Sequence, residues 1–290
     1  MSIILFFLEF LMIAYFVHHL SPFLIQFSNG FGIRYYGLSY ALGFFFLWLG
    51  MRWQRKHGLL ELSTRQIDDL VFWIALGGVM IGGRLGYCLL YDFFHTVREP
   101  WFVFQIWKGG MSSHGGILGV LIVLFWASRK WKVPFFHIAD AAVWLAPVGI
   151  FFGRLANFVN GELWGRPTTL PWGVIFPDAP MINGQAVPRH PSQLYEALLE
   201  GVVLFGILTY LRFRKKSAGS VSIGFLFSYS LLRILGECFR EPDLHIGYYF
   251  GFVTQGQILS LFTLALSFVL LYLKKRKILS GSKRSLACKS

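Results

Sequence analysis

Seven stretches of this chain, near Tyr36–Trp53, Asp69–Tyr91, Met111–Ser128, Phe136–Phe158, Gln193–Leu211, Val221–Phe239 and Gln257–Leu273, are apolar almost throughout. Each has close to the ~20 residues a helix needs to cross a bilayer's hydrocarbon core. Lipid offers no partner to a bare N–H or C=O, so segments of this kind are restricted to helices, which bond their own backbone. The expected fold is therefore all-α: a polytopic membrane protein with about seven transmembrane helices. Composition agrees, with 55% hydrophobic residues and a mean hydropathy of +0.56 against roughly 45–50% apolar residues in soluble domains.

Only 14% of the residues are charged, yet the net charge is +13, so the excess must crowd into loops. It does so in alternation: Arg52, Arg55, Lys56 and Arg65; then Arg129, Lys130 and Lys132; then Arg212, Arg214, Lys215 and Lys216; then the tail from Lys274 to Lys289. Short basic loops stay cytoplasmic, which puts the C-terminus inside and the approach to Tyr36 outside. The excess charge marks topology in preference to nucleic-acid binding, and no nucleic-acid partner is expected. Residues 1–290 read as one integral membrane domain. Within it, 1–31 is an arm in the outer interface or an extra span, built on the apolar run Ile3–Val17. Residues 159–192 form a small outer head, and 274–290 a basic inner tail facing anionic lipid heads. The three cysteines, Cys88, Cys238 and Cys288, lie too far apart for a CxxC or Cys/His metal spacing, and neither a disulfide framework nor a zinc site is suggested.

Cations away from the basic loops are the next constraint. Arg84, Arg154 and Arg233 fall inside or at the outer ends of spans, where a charge costs a few kcal/mol and marks a substrate site, an ion pair or a side chain snorkelling to the interface. The candidate pairing partners are Glu196, Glu200, Glu237 and Asp140. Tyr229, Arg233 and Glu237 are spaced by four and share a helix face, with Arg240 one turn further out; Arg154 and Asn157 share another. The two stripes are expected to converge on a lipid-accessible cavity, where arginine forks suit the phosphate of a phospholipid. His114, between Ser113 and Gly115 in MSSHGG, is the candidate general base, with a capping histidine at a helix start as the alternative. Arg189–Gln193, with Pro191, reads as a helix start.

Gly153 to Arg166, GRLANFVNGELWGR, resembles the signature of the bacterial prolipoprotein diacylglyceryl transferases. Arg34–Gly37, SSHGG at Ser112–Gly116, RHPSQLYEA at Arg189–Ala197 and the Tyr229, Arg233, Glu237, Arg240 stripe resemble other blocks of that family, together covering about Gly32 to Leu273. One departure is Tyr35, where tryptophan is expected; another is the unusually apolar Ile3–Val17. The resemblance implies a seven-helix enzyme of the bacterial inner membrane with its active site facing the periplasm and its C-terminus in the cytoplasm. It implies transfer of the diacylglyceryl group of phosphatidylglycerol to the lipobox cysteine of a preprolipoprotein, with no metal or organic cofactor. The partners so implied are phosphatidylglycerol, lipobox signal peptides and membrane lipids. Carried over by position, the functional residues are Tyr36, His114, Arg154, Asn157, Glu162, Gly165, Tyr229, Arg233 and Arg240. Beside it, the residues themselves suggest a mechanism: Arg154 and Arg233 stabilise the leaving phosphate, His114 takes the thiol proton, and Asn157, Tyr36 and Tyr229 position groups. Glu162 and Glu237 are expected to hold arginines in place.

Three other classes remain open from the residues alone. A transporter also uses intramembrane charge, but no repeated halves are visible. Ser112 and Ser113 beside His114 raise an intramembrane serine protease, though no GxSxG motif occurs. A lipid-binding scaffold without catalysis is the third.

Overall fold

The computed structural model describes residues 15–27, 32–214, 217–242, 247–249 and 251–287, with side chains through residue 276. Most of the expected arm Ile3–Val17, and the loop cations Lys215 and Lys216, lie outside the described residues.

Helices cover all seven apolar stretches: α1 (Tyr35–Lys56), α2 (Thr64–Leu90), α3 (Ser113–Trp131), α4 (Phe135–Val159), α5 (Ser192–Phe213), α6 (Ser220–Glu237) and α7 (Gln255–Ala287). By length and composition four of them, α2, α4, α5 and the Gln255–Arg276 part of α7, are long and apolar enough to cross a membrane. Local chemistry sets the ends. α1 carries Arg55 and Lys56 in its last turn, where cations meet the negative end of the helix dipole, and Gly58 follows with a φ of 69°. α2 starts at a capping box in which Ser63 and Gln66 bond each other's backbone. α3 starts at Ser112, whose hydroxyl accepts the Gly115 N–H at 3.1 Å. Pro134 precedes α4 and Pro191 precedes α5, as expected of a residue that cannot continue a helix backwards.

The chain divides into two compact units: Met1–Ala41, Pro147–Ile207 and Ile223–Ser290 in one, Leu42–Ala146 and Leu208–Ser222 in the other. In the second unit α2 and α3 pack through glycines four apart, Gly78, Gly82 and Gly86 against Gly115 and Gly119. A Cβ on Gly82 would sit 2.7 Å from the Gly115 carbonyl oxygen, and one on Gly86 2.5 Å from Gly115 Cα. Small residues at this spacing let backbones approach where lipid supplies no hydrophobic drive. Residues Ile74–Gly82 form a π-helical stretch at this seam, a local widening that ordinary α-helices rarely show. Also in this unit, the buried Asp140 accepts the N–H groups of Gly219 (2.7 Å) and Ser222 (2.8 Å), capping the start of α6.

The first unit carries the small β elements. Strand β1 (Phe16–Val17) pairs in parallel with β4 (Val174–Ile175), and β2 (Phe23–Gln26) pairs antiparallel with β3 (Gly32–Arg34). Between α4 and α5 the chain folds over a core of Val174, Phe176 and Ala179, covered by Phe158 and Trp164. The buried His18 ring packs edge-on to Phe158, and its Nε2 lies 2.7 Å from the Phe158 carbonyl oxygen. α4 and α5 meet where Gly201 faces Phe151; a Cβ there would come within 2.7 Å of the Phe151 Cβ. Gly201 lies in a second π-helical stretch, Ala197–Val203.

Candidate functional site

Four helices of the first unit contribute polar groups to an otherwise apolar interior. α4 supplies Arg154 and Asn157, α5 supplies Glu196 and Glu200, and α6 supplies Tyr229, Arg233 and Glu237, with Tyr36 at the start of α1. Periodicity explains the grouping, since residues three or four apart stack on one helix face.

The charged groups close on one another. Arg154 Nη1 lies 2.9 Å from Glu196 Oε2, and its Nη2 lies 3.0 Å from Glu200 Oε2. Arg233 Nη1 donates to Glu196 and also to Glu200 at 3.2 Å, while its Nη2 donates to Glu237. Arg240 Nη1 stands 4.0 Å from Glu196. Glu237 in turn accepts the Thr254 hydroxyl at 3.0 Å. The Glu196 and Glu200 side chains are wholly buried, whereas those of Arg154 and Arg233 keep 15% and 11% of their surface. Three guanidiniums and three carboxylates make the cluster formally neutral, which is how six charges are tolerated away from water.

Beside this cluster is a smaller one. The Tyr36 hydroxyl donates to Glu162, and Asn157 Nδ2 donates to both the Tyr36 oxygen and Glu162 Oε1, the latter at 2.8 Å. Glu162 was expected to hold an arginine; it is engaged instead by Tyr36 and Asn157. The turn that delivers it reverses sharply, with Gly161 and Leu163 at φ 65° and 57°. Gln193 Nε2 donates to the Glu162 carbonyl, and the Ser192 hydroxyl to that of Leu163 at 2.8 Å.

Gly165 is buried between the backbone at His190 and that at Phe239. Its N–H donates to the His190 carbonyl at 2.9 Å, and its own carbonyl accepts from Arg189 Nη1 at 3.2 Å. A Cβ at Gly165 would lie 2.5 Å from the His190 oxygen and 2.6 Å from that of Phe239. Close backbone approach is thus what glycine provides here. Burial pushes the His190 imidazole below its ordinary value, and its Nδ1 is 3.2 Å from the Tyr195 hydroxyl.

Tyr229 stands one turn before Arg233, its ring stacked on Phe225 at 5.4 Å. His114 belongs to the second unit. It is exposed in the first turn of α3, with Nδ1 3.4 Å from the Tyr91 hydroxyl. Ser112 is buried as the cap of that helix, which removes it as a free serine nucleophile.

Arg84, also in the second unit, is engaged, among the described residues, neither by a carboxylate nor by the polar cluster of the first unit. The guanidinium donates to the backbone carbonyls of Phe102, Val103 (3.1 Å), Gly109 and Gly110 (3.2 Å) and lies 4.4 Å over the Phe102 ring. It pins the loop between α2 and α3. Such acceptors are backbone atoms, which leave no trace in residue type.

Sequence reasoning singled out Arg154, Asn157, Tyr229, Arg233, Glu237 and Arg240, and treated Glu196 and Glu200 only as possible ion-pair partners. Their signal was present: two glutamates one turn apart in an apolar stretch demand cations nearby. Among the described residues no group of three or more His, Cys, Asp or Glu side chains is placed to hold a metal.

Comparison with known proteins covers the stretch of chain that carries these residues. Residues 22–273 match the family model of prolipoprotein diacylglyceryl transferase. The chain is 46% identical over 239 residues to the phosphatidylglycerol--prolipoprotein diacylglyceryl transferase of Legionella pneumophila (strain Corby), covering 82% of this chain and 91% of that one. It is 49% identical over 230 residues to the protein of that name from Nitratidesulfovibrio vulgaris (strain DSM 19637 / Miyazaki F), covering 79% and 84%. The Vibrio cholerae counterpart (serotype O1, strain ATCC 39541 / Classical Ogawa 395 / O395) is 47% identical over 239 residues, covering 82% and 86%.

Proposed function

Because the chain belongs to the prolipoprotein diacylglyceryl transferase family, we propose that it moves the diacylglyceryl group of phosphatidylglycerol onto the lipobox cysteine of preprolipoproteins. This is the first step of bacterial lipoprotein maturation. Beyond the family match, the observation that carries this reading is the convergence of Arg154 and Arg233 on shared carboxylates within one buried cluster. Two preorganised guanidiniums suit a phosphate on which negative charge grows as a bond breaks.

In the proposed reaction the cysteine sulfur attacks the terminal glycerol carbon of the diacylglyceryl group. A C–S bond forms, the C–O bond to phosphate breaks with its electrons left on oxygen, and glycerol phosphate departs. A thiol with an ordinary pKa of about 8.5 is mostly protonated at neutral pH, so its proton must be taken up. His114 is the proposed acceptor. Arg154, Arg233 and Arg240 face the phosphate; Tyr36, Asn157 and Glu162 act as one hydrogen-bonded unit that orients substrate; Tyr229 lines the same face. Glu237 holds Arg233, and Gly165 keeps the signature turn closed. Neither a metal nor an organic cofactor has a part in the scheme.

This reading puts the chain in the bacterial inner membrane with about seven spanning helices, the 159–192 segment on the periplasmic side and the C-terminal tail in the cytoplasm. The support for this orientation is the alternation of basic loops.

The test uses purified protein in detergent with phosphatidylglycerol and a short lipobox peptide, reading peptide mass and released glycerol phosphate. The peptide gains a diacylglyceryl mass with the native chain and not with Arg233→Ala. A folded native chain that neither modifies peptide nor releases glycerol phosphate overturns the reading.

A further inference from the structure

Arg154 and Arg233 are not open forks. Glu196 and Glu200, one turn apart on α5, each bridge both of them: Oε2 of each carboxylate faces Arg154, and Oε1 of each faces Arg233. The helices opposite leave room for this. A Cβ at Gly236 on α6 would lie 3.2 Å from Glu196 Cγ, and one at Gly256 on α7 would lie 2.7 Å from Glu237 Cδ. Carboxylates thus occupy slots that any other residue type at those glycines would crowd, and they sit on the donors a phosphate would use. A carboxylate presents the same bidentate acceptor geometry to a guanidinium as two phosphate oxygens do.

We propose that Glu196 and Glu200 are positioning residues that act as internal competitors for phosphate, keeping the paired arginines aligned while setting how weakly they retain an anion. This rests on the transferase reading above. The phosphodiester of the lipid carries one negative charge, whereas the released phosphate monoester carries between one and two near neutral pH, its second pKa being about 6. Two bare buried guanidiniums would therefore hold product more tightly than substrate and stall turnover. With Glu237 completing the set, the three carboxylates cancel the three arginine charges, Arg240 included, and the dianion loses its advantage. The forks stay aligned for the phosphate on which charge grows in the reaction, while the carboxylates limit how tightly the departed dianion is held.

Glu196→Gln and Glu200→Gln keep side-chain size while removing one charge. In the full chain, with phosphatidylglycerol and lipobox peptide, each is expected to lower KM for the lipid, tighten inhibition by added sn-glycerol 1-phosphate about tenfold or more, and reduce kcat through slower product release. Glu200→Asp, which keeps the charge, returns product inhibition to the native level. The native chain provides a readout that needs no variant: sn-glycerol 1-phosphate and the monoanionic diester glycerophosphoglycerol inhibit at similar concentrations. A native chain that holds the monoester tenfold more tightly than the diester, or Gln variants with raised KM and unchanged product inhibition, overturns this proposal alone. Absence of any transfer by the folded native chain overturns the transferase reading instead.

Discussion

Replacing Arg84 by Ala separates structure from chemistry at an intramembrane cation. The guanidinium donates to four carbonyls, of Phe102, Val103, Gly109 and Gly110, from a side chain almost wholly removed from solvent. Hydrogen bonds to a charged donor contribute about 1.5–3 kcal/mol each, and a stranded buried carbonyl costs about 1–3 kcal/mol. Discounting by half for loop relaxation and for water reaching the outermost carbonyls leaves a loss of about 4 kcal/mol, at the upper end of single substitutions. At roughly 2 °C per kcal/mol for a chain of this size, the melting midpoint falls by about 8 °C. The assay is thermal unfolding of purified protein in detergent, paired with diacylglyceryl transfer per folded molecule well below the new midpoint. Specific activity stays within about threefold of native, because the partners of Arg84, four loop carbonyls and the Phe102 and Tyr87 rings, include no residue of the proposed chemistry. A native melting curve refutes the clamp, and a drop in specific activity of more than about 100-fold with normal stability makes Arg84 part of the chemistry.

Arg233→Lys keeps the charge but loses the fork that spans Glu196, Glu200 and Glu237, and kcat/KM for phosphatidylglycerol is expected to fall about 100-fold; a loss under threefold contradicts the bidentate role. Tyr36→Phe removes the hydroxyl shared by Asn157 and Glu162 and is expected to cost about tenfold or more in kcat with normal folding, read by steady-state kinetics. His114→Asn is expected to lower kcat by about 10²–10⁴ while leaving KM for lipid near native; an active variant assigns the proton to another group. Gly119→Leu drives a side chain into the Gly78 backbone and is expected to destabilise the chain by at least about 1–3 kcal/mol, visible as a lowered melting midpoint or loss of monodisperse protein.

Long apolar stretches were legible as helices because lipid leaves a span no other backbone solution, and the stripes on α4 and α6 were legible because three- and four-residue spacings survive any tilt of the helix. The meeting of Arg154 with Arg233 was harder to read, since it depends on Glu196 and Glu200 of a third helix. Glu162 shows the limit of charge matching: an acid beside arginines in the sequence found a tyrosine and an amide in space, because the turn at Gly161 aims it back at Asn157. Arg84 was illegible in kind, its partners being backbone oxygens of a loop. The glycine seam of α2 and α3 was written plainly, at four-residue intervals in both helices, in residues that carry no chemistry to draw the eye.

The parallel pairing of Phe16 with Val174 has a consequence for the order of folding. The strand that leaves the ribosome early must wait for a partner more than 150 residues later, and closing so long a loop is slow and entropically costly. Until then His18 has no Ile175 carbonyl to bond, and the turn at Gly161, against which its ring packs, lacks its backing. The signature turn therefore gains its His18 backing only once the first strand has found Val174 and Ile175, and substitutions at His18 are expected to slow the acquisition of activity after synthesis.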